Sequence, residues 1–304
     1  MNLVNTLNMM NIKKVVNLFN KINILNNKKN ENDKKEEYNV DNLKLDLDEK
    51  YLEEFKQFAP TLLIYKGEKY IPLKMNFDND LDLKNNAQNF KKFIENQDNY
   101  DLKDLFEKYS TVYVNKIKEV KVNNEKYSVY QYWFYWPYNS FIFDWHDHDF
   151  ELIEVYVNSN KEVKYIVCSY HILKKIFFTN KDYFIKIANK NYNAKDFIIK
   201  VEPNSHGMSF NEGGSILLVP NILKSLLKPY FKYTPTRFIP LVSSNNNDSP
   251  FYFDKNKKKI IIDNRGLIDK KGFLKNRGFP YNWSIKVVPP ILRKYFYTGI
   301  LNNK

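Results

Sequence analysis

Ten consecutive residues, Tyr127-Ser128-Val129-Tyr130-Gln131-Tyr132-Trp133-Phe134-Tyr135-Trp136, are apolar or aromatic at nearly every position. An extended chain sends successive side chains to opposite faces, so a strand made of these residues has no face to give to water. It must run through the middle of the molecule with a layer on each side. Pro137-Tyr138-Asn139-Ser140 is expected to end it, because proline cannot donate to a ladder. The remainder has the material to cover such a strand: 43% of the 304 residues are hydrophobic, and 23 Tyr and 23 Phe favour pleated surfaces.

Strand patterns surround it at short intervals. We expect strands at Thr111–Ile117, Glu119–Val122, Phe150–Val157, Val163–His171, Phe197–Val201 and Ser215–Val219. Phe251–Phe253 and Ile260–Ile262 read as a hairpin around a lysine-rich turn. The segment Leu173–Ala188 has no clear period and admits a short helix. Together these predict a mainly β fold: an antiparallel β-sandwich of jelly-roll or concanavalin-like type, with peripheral helices.

Two regions are set apart by composition. Residues 1–27 carry Lys13, Lys14 and Lys21 and no acid, with apolar positions that partly follow a helical period. They read as an N-terminal helix, with an amphipathic presequence as the alternative, and they lack the features of a secretory signal. Residues 26–42 are polar and charged and read as a flexible linker, so residues 1–42 precede a single β-sandwich domain over 43–300. Within that domain Tyr51–Phe58 has helical spacing and stops before Pro60, and a short strand, a turn and an extended segment follow to Pro72. A helical insertion is expected near 78–109, around Phe90–Ile94 and Leu102–Tyr109. The single cysteine, Cys168, excludes an internal disulfide framework and suits a reducing compartment, and no apolar run reaches the ~18 residues of a membrane span. We expect a cytoplasmic protein.

The formal net charge of +13 is unevenly placed. Asn221–Lys304 holds 17 Lys and Arg against 4 Asp, whereas the first 220 residues balance. A basic C-terminal portion, 221–304, suits an anionic membrane surface or an acidic partner better than nucleic acid, and an ordinary solvated surface explains it equally well.

The chemistry-bearing residues are concentrated elsewhere. All four histidines, His146, His148, His171 and His206, fall within one stretch, beside Asp147, Asp149 and Glu151. If Asp149–Val157 is extended, Asp149 and Glu151 begin the face that Ile153, Val155 and Val157 bury, and His148 points the other way with Phe150 and Leu152. Two carboxylates at the mouth of a core face are costly to desolvate without a cation or a proton. His171 and His206 each follow a predicted strand, so three strand ends deliver imidazole or carboxylate. If those ends meet, the donors suit Mg²⁺, Mn²⁺, Ca²⁺ or Zn²⁺ rather than copper or an iron–sulfur cluster. Read singly, a strand-end histidine is more often a hydrogen-bonded structural residue than a ligand. No H-E-x-x-H, Walker loop or G-x-S-x-G is present, and Cys168, mid-strand, reads as a buried thiol.

These residues resemble a known pattern. His146-Asp147-His148-Asp149-Phe150-Glu151 is similar to the H-R-H-D-W-E signature of necrosis- and ethylene-inducing-peptide-like proteins. Gln131-Tyr132-Trp133-Phe134-Tyr135-Trp136-Pro137-Tyr138-Asn139 resembles the Q-x-W-F-x-x-P-Y-N run of the related vacuolar protein sorting-associated protein 62 family. Phe58-Ala59-Pro60 with Glu68-Lys69-Tyr70-Ile71-Pro72 resembles that family's opening, and Ser169-Tyr170-His171 and Ser205-His206-Gly207 follow in the same order. The resemblance covers about Phe58 to Met208. It implies a β-sandwich holding a divalent cation with His146, Asp149 and Glu151 as ligands. Asn139 stands nearest to the aspartate that the cytolytic members place after their aromatic strand. Their secretory signal and paired cysteines are missing here, which argues against a secreted toxin.

Two functions follow as expectations. The first is an intracellular β-sandwich protein with a divalent-metal site and a binding role, its ligand an anionic lipid or an acidic partner. The alternative is a metal-assisted hydrolase, with Glu151 or His148 as base and His171 or His206 polarising the substrate.

Overall fold

A computed structural model describes residues 47–80, 82–97, 100–122, 124–140, 146–168, 185–187, 197–210, 228–243, 251–254 and 259–262. Thirteen strands, three α-helices and one short 3-10 turn (Leu83–Asn85) lie within them. Strand β1 is Thr61–Tyr65, β2 Val112–Val122, β3 Glu125–Asn139, β4 His146–Asn158, β5 Val163–Cys168 and β6 Ile185–Ile187. Strand β7 is Ile198–Val201, β8 Met208–Phe210, β9 Pro229–Tyr233, β10 Phe238–Pro240, β11 Val242–Ser243, β12 Phe251–Asp254 and β13 Lys259–Ile262. The helices are α1 Glu49–Phe58, α2 Asn86–Glu95 and α3 Leu102–Tyr109.

A six-stranded sheet runs β10-β2-β3-β4-β5-β6, a four-stranded sheet runs β8-β7-β1-β9, and a three-stranded sheet runs β11-β12-β13. The fold is mainly β and sandwich-like, with the two larger sheets packed together and helices at the periphery. Most pairings are antiparallel; β10 with β2, β1 with β7 and β11 with β12 are parallel, so the sheets are mixed. The expected hairpin near the end of the chain is present as β12 and β13. Ser215–Val219, His171 and residues 1–42 lie outside the described residues.

The aromatic run forms the heart of the large sheet. β3 pairs with β2 on one side and with β4 on the other. Tyr132, Trp133, Phe134, Tyr135 and Trp136 are wholly buried. Each contributes on the order of 2–3 kcal/mol relative to exposure. Tyr130, Tyr132, Phe134 and Trp136 join Leu62, Ile64, Ile199 and Val201 of the small sheet in the main core. Tyr127 and Val129 share a second cluster with Ile117, Tyr156 and Val167 on the other face.

Two sequence expectations for this sheet are revised. Pro137 does not end β3, which continues to Asn139. The last pair with β2 is Tyr113–Trp133, so Pro137 lies beyond that neighbour, where a missing donor breaks no bond on that side. Thr111–Ile117 and Glu119–Val122 are one strand, interrupted by a bulge between Ile117 and Val120, with Glu119 at φ 59°.

The helices close the periphery. Asp48 caps α1 by accepting from Tyr51 N (2.7 Å), and Asp101 caps α3 by accepting from Lys103 N (2.7 Å). Tyr132 Oη donates to the carbonyl of Phe55 near the C-terminus of α1, supplying a partner to one of the acceptors a helix end leaves open. Phe106 of α3 packs edge-on against Phe231 and Tyr233 of β9.

Candidate functional site

Strand alternation decides which residues of β4 share a face. In register with β3, Trp136 faces Asp149, Phe134 faces Glu151 and Tyr132 faces Ile153. Asp149 and Glu151 therefore stand on the core-facing side, at the rim, and are 6% and 5% exposed. Asn139 and His146 are direct cross-strand partners at the same rim. The sequence-predicted positions Asn139, His146, Asp149 and Glu151 thus fall together at one end of the sandwich. Of His146 the structure describes the backbone only.

The β7–β8 hairpin reaches the same rim. Its turn, residues 202–207, is closed by Glu202 N to Gly207 O (3.0 Å) and His206 N to Glu202 O (2.9 Å). Asn204 and His206 adopt φ 64° and 56°. Ser140 N donates to Asn204 O (2.9 Å), and Asn139 Nδ2 donates to Ser205 O (3.4 Å), fastening the turn to the end of β3. Glu202 accepts from Ser205 Oγ (2.8 Å).

His206 is fully buried between two carboxylates. Its Nδ1 lies 2.8 Å from Asp149 Oδ2, and its Nε2 lies 3.5 Å from Glu68 Oε1, an ion-pair distance without a hydrogen bond. The imidazole lies flat on Trp136, with centroids 4.5 Å apart and planes 6° apart, and Tyr70 meets it edge-on at 6.2 Å. Burial alone would push the ring toward its neutral form. The charge of Glu68 and the bond to Asp149 outweigh it and raise the pKa to about 9. Both carboxylates thus favour the imidazolium form of His206.

Glu68 is the residue that sequence reading left without a role. Its Oε1 accepts from the backbone N–H groups of Lys69 and Tyr70 (2.8 Å each), and its Oε2 accepts from Asn204 N (2.9 Å). One buried carboxylate thereby ties the turn after β1 to the β7–β8 turn. A signal was present in Glu68-Lys69-Tyr70-Ile71-Pro72, although its spacing says nothing of a partner 136 residues away.

His148 belongs to the opposite face, as alternation requires. Its Nδ1 is 2.9 Å from Tyr135 Oη, whose oxygen also accepts from Asn86 Nδ2 (2.8 Å). On the same face Glu154, wholly buried, accepts from Gln131 Nε2 (2.8 Å) and Tyr156 Oη (3.0 Å).

The donor types at the rim suit a hard divalent cation, since carboxylates predominate. Asn139 Nδ2 also reaches Asp149 Oδ2 (3.5 Å), so its amide nitrogen, not its oxygen, faces that carboxylate. Among the described residues no three His, Cys, Asp or Glu side chains converge to hold a metal. No helix among them is long and apolar enough to cross a membrane. Cys168 is buried, and burial pushes its thiol well above the ordinary range, as an inert thiol requires.

No family model matches the chain, and neither does any curated protein. Among solved structures it is similar to NLPPya in complex with mannosamine, at 14% identity and a TM-score of 0.35, over 86% of this chain and 98% of that one.

Proposed function

We propose that this chain is a binding protein whose acidic strand-end cluster holds a divalent cation, and that its ligand is an anionic group on a lipid surface or an acidic partner. The observation that carries the reading is the placement of Asp149 and Glu151. Both are buried on the core-facing side of β4, at the rim where Asn139 and His146 pair across the strands. Asp149, Glu151 and His146 would hold the ion. A divalent cation there supplies positive charge to the carboxylates and attraction for an anionic oxygen.

Binding is favoured over hydrolysis by the state of the described histidines. His206 is enclosed between Asp149 and Glu68, and His148 is engaged with Tyr135 on the other face. The buried Cys168 suits a reducing compartment, and this reading sets the protein in the cytoplasm.

Metal analysis of purified protein tests the proposal, comparing wild type with Asp149→Ala and Glu151→Ala, each checked for folding by circular dichroism. The expected result is divalent metal in the wild type and its loss in both variants. Equal metal content in all three would reject the site.

A further inference from the structure

Asp149 meets His206, and His206 meets Glu68, so side chains from three separate segments form one line through the rim. The far end of that line is fixed to backbone. Glu68 is buried, and its oxygens accept from the N–H groups of Lys69, Tyr70 and Asn204. Three backbone donors on two oxygens hold the carboxylate in one orientation.

The middle member is held as firmly. The His206 backbone stands at φ 56°, a left-handed conformation that is uncommon for a residue with a Cβ. The turn sustains it through the bonds between Glu202 and residues 206 and 207. Backbone conformations of this kind persist where the surroundings over-determine them, and they gather at binding sites. Trp136 covers one face of the imidazole and Tyr70 meets its edge, so the ring cannot swing away from Asp149 without unpacking both.

Glu68 acts on that ring by charge. Its Oε1 lies 3.5 Å from Nε2 without a hydrogen bond, whereas Nδ1 lies 2.8 Å from Asp149 Oδ2. The histidine therefore faces one acid across a short contact and the other across an ion-pair distance. A group that ligates a metal is commonly oriented by an outer partner, and that partner is itself held by another. Asp149 has such a partner in His206, and Glu68 extends the line by one more side chain. Glu68 also adds negative charge beside Asp149 and Glu151, and both the charge and the rigidity of a site set its hold on a hard divalent ion.

We propose that Glu68 is a positioning residue for the rim cation: acting through His206 it fixes the Asp149 carboxylate, and its charge strengthens the hold of the cluster on a divalent ion. Asp149 would touch the ion, whereas Glu68 acts from two side chains away. The inference rests on the cation reading given above and adds to it a source of affinity. Glu68 and His206 come from turns of the small sheet and Asp149 from a strand of the large one, so the ion would be held in full only by the packed sandwich.

The test is titration of the metal-stripped full chain with Mn²⁺, read from the electron paramagnetic resonance of the free ion. Wild type, Asp149→Ala, Glu68→Gln and Glu154→Gln are compared. Glutamine keeps the shape of Glu68 and an acceptor for Lys69 and Tyr70, but it removes the charge. Glu154 is a buried carboxylate on the opposite face of β4, so its change controls for the loss of buried charge as such. Saturable binding is expected in the wild type and none in Asp149→Ala. Glu68→Gln should bind about tenfold more weakly than wild type, and Glu154→Gln should match it. In the wild type, Mg²⁺ should also shift the ring ¹⁵N resonances of His206 and the amide resonance of Asn204, a readout that depends on no variant. Equal affinity in Glu68→Gln and wild type, or no shift at His206 and Asn204, would overturn the role of Glu68 while leaving the cation site standing. Equal weakening in Glu154→Gln would overturn it too, by making the effect one of stability. Absence of Mn²⁺ binding by the wild type, or full binding by Asp149→Ala, would overturn the cation reading and this inference with it.

Discussion

His206 and Asp149, 57 positions apart in the chain, meet through a 2.8 Å contact between Nδ1 and Oδ2 in the interior of the sandwich rim. The contact joins the β7–β8 turn to the start of β4, and Trp136 seals it against water. A charge pair in such a place contributes little net stability against an apolar equivalent, but removing one partner strands the other. His206→Ala should therefore destabilise the fold by about 3–5 kcal/mol. Adding Asp149→Asn should cost less than the sum of the single changes, by about 1–3 kcal/mol. Urea unfolding of the two single variants and the double variant measures both quantities. Strict additivity would mean that the two residues are not coupled.

Glu68 makes a more selective prediction. Its two oxygens serve different segments, Oε1 the N–H groups of Lys69 and Tyr70, and Oε2 that of Asn204. In Glu68→Gln one oxygen survives and the other position becomes a donor. Amide exchange should accelerate about tenfold at Asn204 and stay near the wild-type rate at Lys69 and Tyr70. Uniform acceleration at all three would show that the carboxylate does not bridge the turns.

On the outer face of β4, Glu154 is wholly buried and accepts from Gln131 and Tyr156, while Asn115 Nδ2 donates to Gln131 Oε1 (2.9 Å). Glu154→Ala leaves buried donors without their acceptor and should cost about 2–3 kcal/mol. Glu154→Leu combined with Gln131→Leu should recover part of that loss, because apolar side chains need no partner. Thermal unfolding of the two variants checks the order.

The docking of α1 should be sensitive to acid. Glu54 is engaged by Lys116 and Tyr130 of the large sheet, and the Lys116 ammonium also stands 4.8 Å from the Tyr130 ring centre. Burial pushes the Glu54 carboxyl up, but the bonds and charge of Lys116 outweigh it and hold the carboxyl below its ordinary value. A lowered carboxylate stabilises the fold above its unfolded pKa and loses that effect as pH falls through the folded value. Lys116→Met should therefore lower the unfolding free energy by about 1 kcal/mol above roughly pH 5, with the gap to wild type closing at more acidic pH. A gap that persists unchanged to low pH would assign the effect to packing alone.

Much of the large sheet is legible from local pattern. The run Tyr127–Trp136 carries apolar side chains to both faces, and only a central strand can bury both. The same alternation separates Asp149 and Glu151 from His148 before any contact is known. The short strands β6, β8, β9, β10 and β11 are not legible in this way, because two to five residues hold too little periodicity to distinguish a strand from a turn or, at Ile185–Ile187, from a short helix. Pro137 was misleading for a different reason: whether a missing donor matters depends on which neighbour lies alongside, and that neighbour is remote in sequence.

What the amino-acid order determined by itself is the face on which each β4 side chain stands and the central position of β3, because both follow from the geometry of one extended segment. What only the tertiary structure decided is the company those side chains keep. Glu68 reaches Asn204, and His206 reaches Asp149, because two sheets pack at one register and bring turns from distant parts of the chain to one rim. Periodicity is a property of neighbouring residues, whereas coordination across a core is set by the packing of whole layers.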